Sequence, residues 1–70
     1  MTEVKYPGAA IVMPHPSSPN ANSVAIIAAV SRELRGAGAS WDEVRTFRNE
    51  ATAGSYDELQ ATVRRWVEVL

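Results

Sequence analysis

The sequence predicts an α+β domain that is mainly α: a short N-terminal strand or arm followed by three helices, the strand pairing with the C-terminal tail or across an oligomer. Three observations carry this reading. The phrase Ser-aromatic-Asp-Glu occurs twice, at Ser40-Trp41-Asp42-Glu43 and Ser55-Tyr56-Asp57-Glu58, and S-x-x-E ahead of an apolar stripe is a helix start. Ile26, Ile27, Val30 and Leu34 fall at helical spacing in an earlier segment. Before that, the apolar and partly β-branched run Ala9 to Met13 precedes the proline-rich "PHPSSPN".

Taken in order, residues 1–13 form a strand or arm, with 9–13 as the strand, 3–6 extended ahead of it, and Pro7-Gly8 as a turn signal between them. Residues 14–20 make a semi-rigid loop, because prolines at 14, 16 and 19 fix φ and remove three backbone donors. Residues 21–67 hold the three helices. Asn20 or Asn22 caps the first, about 22–35, which stops at Gly36-Ala37-Gly38, where glycine can take the left-handed conformation. The second runs about 41–51 behind Ser40, with Trp41, Val44, Phe47 and Ala51 as its stripe. The third runs about 56–66 behind Ser55, with Tyr56, Leu59, Val63, Trp66 and Leu70. In each capping box the serine oxygen accepts from the third residue's N–H and the glutamate reaches back to the serine's own N–H. The tail 67–70 alternates, which reads as a segment leaving the helix to pair with the N-terminal strand, a continued helix being the alternative.

Seventy residues make one domain over 1–70, and a chain this short buries only about 60% of its unfolded surface. A lone strand needs a backbone partner, so a homo-oligomer is expected. With no cysteine there is no disulfide, thiolate metal site or cysteine nucleophile. Seven basic and eight acidic residues leave a charge of −1, which supplies no overall field for nucleic acid or an anionic membrane. The apolar run Val24 to Val30 is far below the roughly 20 residues of a membrane span. The N-terminus lacks a secretory signal pattern, so the cytoplasm is the expected compartment.

Residues able to carry chemistry are few. His15 lies between two prolines with no companion ligand or nucleophile in its spacing, and reads as a solvated loop residue. Asp42, Glu43, Asp57 and Glu58 read as helix-start carboxylates; consecutive helix starts lie about 16 Å apart for an eleven-residue helix, so they are not expected to converge on a cation. Gly36-Ala37-Gly38 follows a helix and lacks the strand-to-helix context of a phosphate loop. No catalytic, cofactor-binding or metal-binding residue is assigned, and no cofactor is expected. The aromatics Trp41, Phe47, Tyr56 and Trp66 read first as core, with Trp41 or Trp66 as the alternative exposed partner anchor. Helices two and three resemble a helix-turn-helix pair, but the third opens with Asp57 and Glu58 where a recognition helix meets phosphates. Arg32, Arg35, Arg45 and Arg48 form a patch only if helices one and two present them together, with Asp42, Glu43 and Glu50 intervening.

The segment "FRNEATAGSYDELQATVRRWVEV", residues 47–69, resembles a pattern of small conserved hypothetical proteins of actinobacterial phages and their hosts. Phe47, Glu50, Ala51, Tyr56, Asp57, Leu59, Arg65, Trp66 and Val67 carry the resemblance, with Asn22 in the position of a turn asparagine. Ala53-Gly54-Ser55 departs from the usual Ser-Gly-Asp, and "MPHPSSPN" replaces a glycine-rich turn. The resemblance implies a phage or prophage origin and a strand followed by helices, and implies no catalytic residue. The function expected is a non-enzymatic phage-type accessory protein binding a host or phage protein, with Trp41, Arg45, Arg48 and Trp66 as the partner contacts. The alternative is a small DNA-binding regulator using helices two and three.

Overall fold

The structure, a computed structural model, describes residues 4–15, 17–19 and 21–70. The element order is β1 (Tyr6–Ile11), α1 (Ser23–Gly36), α2 (Trp41–Ala51), α3 (Tyr56–Trp66) and β2 (Val67–Val69). A strand followed by three helices and a C-terminal strand is therefore the architecture, and α2 and α3 have the bounds read from the sequence. The expected extension at Glu3, the loop's Pro16 and the alternative cap Asn20 lie outside the described residues.

Local grammar sets the helix ends. Asn22 caps α1, its Oδ1 accepting from the Ala25 N–H at 2.9 Å. At the other end the Gly38 N–H donates to the Arg35 carbonyl and the Ala39 N–H to the Leu34 carbonyl. This pair of bonds is the Schellman closure, and Gly38, with φ +97°, supplies its left-handed residue. Ser40 Oγ accepts from the Glu43 N–H at 3.2 Å, and Ser55 Oγ from the Glu58 N–H at 3.3 Å. The glutamates depart from the expected box: among the described residues neither serine's own N–H donates to its glutamate. Glu43 turns to Tyr6 instead, and Glu58 leans back until its carboxylate fills the space a side chain at Gly54 would need.

β1 and β2 form a two-stranded parallel sheet. Lys5 N–H donates to the Arg65 carbonyl and Leu70 N–H to the Ile11 carbonyl, each at 2.9 Å. The tail is thus a strand and not a continued helix. β1 finds its partner inside the chain, so its backbone does not itself call for a second subunit. The expected strand at 9–13 is corrected to Tyr6–Ile11, with Pro7 and Gly8 inside it. They fit because the register slips: Tyr6 faces Val67 but Ala10 faces Glu68. Pro7 falls in this irregular stretch, exposed, where its missing N–H leaves no gap in the ladder.

The core lies between the sheet and the helices. Ile26, Ile27, Val30, Leu34, Val44, Phe47, Leu59, Val63 and Trp66 are all buried, as their spacing predicts, joined by Ala9, Ile11, Ala39 and Val67. Trp66, 3% exposed, packs against β1 and α2. Its ring stacks on Tyr6 of β1 at 6.3 Å and meets Phe47 of α2 edge-on at 5.6 Å, offset geometries that aromatic quadrupoles favour. Lys5 Nζ lies 4.3 Å from its centroid. Its Nε1–H donates to Glu50 Oε1 at 3.0 Å, and Arg65 pairs with the same oxygen at 3.9 Å. Thr62, the buried polar side chain, accepts from Arg65 Nη2 at 3.1 Å.

Two measurements test these assignments. S40A and S55A are each expected to lower stability by about 1 kcal/mol in urea denaturation, the usual effect of deleting a serine cap. The Glu43 carboxylate, by hydrogen bonding first, then with partial burial and its charge, holds the Tyr6 hydroxyl above its ordinary pKa of 10.0. The folded state then binds this proton more tightly than the unfolded chain, so the contribution is complete below pH 10.0 and is lost as pH rises through the raised value. In a Y56F background, the phenolate absorbance of Tyr6 is expected to titrate above pH 10.0, and E43A to move that midpoint down.

Candidate functional site

Trp41 and Tyr56 are each the first residue of their helix, and that position lies before the first turn that reaches the core. Both leave the stripe predicted for them. Tyr56 is 40% exposed and donates its hydroxyl to the Ala21 carbonyl at 3.2 Å, tying α3 to the start of α1. Trp41 is 67% exposed. Its ring is not loose, because the Arg35 guanidinium from the end of α1 lies 4.3 Å from its centroid while donating to the Ala39 carbonyl. A cation over an exposed indole contributes about 0.5–1 kcal/mol, enough to bias the ring to one orientation.

Helical geometry assembles the rest of the face. At about 100° per residue, Trp41, Arg45, Arg48 and Thr52 point within roughly 60° of one another, about a quarter turn from the buried stripe of Val44, Phe47 and Ala51. Trp41, Arg45 and Arg48, with Val44 and Asn49, line a shallow depression of about 450 Å³. Arg48 also borders a second depression, about 270 Å³, in the groove between α1 and α2 beside Val24, Ala28 and Ser31. Three of the four expected contact residues are therefore brought together, with Arg35 added. Trp66 is corrected: it is enclosed by Tyr6, Phe47 and Lys5 and offers no surface to a partner.

The charges on this face are one-sided. Of the three carboxylates expected to intervene, Glu43 is drawn to Tyr6 and Glu50 to Trp66 and Arg65. Only Asp42 remains, 3.8 Å from Arg45 in an exposed pair of the kind that contributes about 0–1 kcal/mol. Arg48 has no ion-pair partner among the described residues. Arg32 does not join them; it lies on the other flank of α1, beside Ile11, Val12 and Pro14.

His15 is exposed, and its Nδ1 accepts from the Ser17 backbone N–H at 3.2 Å and lies 2.7 Å from Ser17 Oγ. The sequence reading missed this Ser–His contact, two residues apart in a turn. No acid orients the far ring nitrogen among the described residues. Among the described residues no three histidine, cysteine or acidic side chains gather into a metal-binding group, and no helix is long and apolar enough to cross a membrane. Comparison with protein-family models, with curated proteins and with solved structures gives no match.

The two tryptophans separate experimentally. W66A is expected to cost about 3–5 kcal/mol, as removal of a buried aromatic does, whereas W41A should cost no more than about 1 kcal/mol, the scale of an exposed cation–π contact. Urea denaturation followed by circular dichroism measures both.

Proposed function

We propose that this chain is a non-enzymatic accessory protein of phage type, which binds a host or phage protein through the face of α1 and α2 around Trp41. The observation that carries the reading is an exposed tryptophan, pre-set by Arg35 and flanked on one helix face by Arg45 and Arg48. Tryptophan and arginine dominate interface energetics because each offers large contact area with a polar or charged handle. A Trp held in place loses less conformational freedom on binding, so more of its contact energy appears as affinity. The fold does not need this side chain inside, which leaves the surface as its place of action.

The same guanidinium cluster favours a second reading, a small regulator that grips DNA phosphates. Under that reading the contacts would come from α1 and α2. The helix-turn-helix version is disfavoured: the first turn of α3 presents Asp57 and Glu58, which repel phosphate, and its Arg64 and Arg65 lie in the last turn.

The test is comparative. Tagged wild type and the triple variant W41A/R45E/R48E are expressed in an actinobacterial host and the co-purifying proteins quantified. At least one protein is expected to be depleted tenfold or more with the variant; identical sets would refute the proposal. For the DNA reading, duplex binding through Arg35, Arg45 and Arg48 would give a slope of log K against log salt of roughly −3, and a wild type that binds duplex no better than the variant removes it.

A further inference from the structure

α1 and α2 present matching stripes. Val24, Ala28, Ser31 and Arg35 on α1 have the same spacing as Trp41, Arg45, Arg48 and Thr52 on α2. The helices join through a short closure, so the pairs meet in reverse order: Arg35 beside Trp41, Ser31 and Ala28 beside Arg48, Val24 beside Thr52. The result is one trough, basic at the Arg35 and Trp41 end and apolar toward Val24, which is 78% exposed. The depression continues past Val24 and Thr52 to Tyr56. From Trp41 to Thr52 the trough is about 16 Å long, eleven residues at 1.5 Å each.

We infer that this trough binds an acidic amphipathic helix of about three turns, the length that the 1.5 Å rise per residue sets. The inference rests on the interaction reading above and names the chemistry of the partner. Two arguments select it. Charge complementarity comes first: Arg35, Arg45 and Arg48 face the trough against the single carboxylate of Asp42. Carboxylates spaced three or four residues apart on a partner helix lie on one face and reach several guanidiniums together. Backbone accounting comes second. The walls of the trough are helices, which present no strand edge, the alternating row of free N–H and C=O groups that holds an extended peptide. An occupant must satisfy its own backbone, and a helix does so. Its apolar stripe meets the Trp41 ring at one end and Val24 and Ala28 at the other.

The experiment is a selection of random 16-residue peptides displayed on phage against the full chain, with counter-selection on the R45E/R48E variant. Circular dichroism at the start confirms that this surface variant is folded. Expected are peptides with Asp or Glu and large apolar residues at helical spacing. Synthesised, they should bind wild type at least tenfold tighter than R45E/R48E or W41A, gain helicity on binding, and lose affinity when scrambled at constant composition. Enrichment of neutral or basic sequences, scrambled peptides that bind equally well, peptides that stay extended when bound, or no enrichment at all would each overturn the inference. Binding of duplex DNA that outcompetes the selected peptides would overturn it too, in favour of a phosphate ligand. Failure of this inference is distinguishable from failure of the interaction reading. If acidic helices are not selected but a co-purifying protein still depends on Trp41, the surface stands and its partner has other chemistry; if neither result appears, both fall.

Discussion

The structure depends on burying the indole of Trp66, because an indole in a core brings an N–H that must find an acceptor or cost about 1–3 kcal/mol. Glu50 supplies that acceptor. For its carboxylate to reach, α2 must present Glu50 and Phe47 toward the end of α3, which sets how the two helices meet. Arg65, next to Trp66, pairs with the same carboxylate and donates to Thr62, so the charge is answered on both sides. Tyr6 closes the ring's remaining face and so fixes where β1 lies. Val67 then goes into the core immediately after Trp66 and opens β2, without an intervening loop.

The same constraint shapes the surface. Glu43 and Glu50 lie roughly opposite Trp41 around α2, and their contacts to Tyr6 and Trp66 turn that side of the helix toward β1 and the end of α3. Arg45 and Arg48, about a quarter turn from the core stripe, are left with only Asp42 nearby, and the C-terminal end of α1 adds Arg35. A chain with net charge −1 thereby has a basic face. Net charge sums over the molecule, whereas a ligand meets a face. For that reason the weak overall charge, read from composition, says less about anionic partners than the packing of Trp66 does.

The helices were legible because their signals are local. Two Ser-x-x-Glu starts, an asparagine cap and a glycine closure each act within a few residues, and α2 and α3 came out with the bounds read from them. The strand was less legible: Pro7-Gly8 has the local signature of a turn, and only pairing with β2, about sixty residues away, makes it an irregular stretch within a strand. The aromatic stripes failed at Trp41 and Tyr56 for definable reasons. Tyr56 has the angle of its stripe but sits before the turn that reaches the core, whereas Trp41, three residues from Val44, lies about a quarter turn from the buried side of α2. The basic face was half visible. Helical spacing places Arg45 and Arg48 beside Trp41 and Glu43 and Glu50 on the opposite side, but it does not place Arg35 over the Trp41 ring. Phe47, Glu50 and Arg65 gather around Trp66, so their spacing encodes packing.

Trp41 and Trp66 are chemically identical and twenty-five residues apart, and the difference between them decides where function is sought. Trp66 satisfies every requirement of a core residue: enclosed faces, an answered N–H, and neighbours from β1 and α2. Trp41 satisfies none of these, yet it is held, by a guanidinium whose own hydrogen bond to Ala39 fixes it in the α1–α2 turn. A small or polar residue at that helix start would leave Ser40 free to cap and Val44 free to pack. Leaving a large aromatic in water has a solvation cost that neither cap nor core recovers. Under the proposed interaction, contact with a partner would recover it, and Arg35, Arg45 and Arg48 would favour a partner of negative charge.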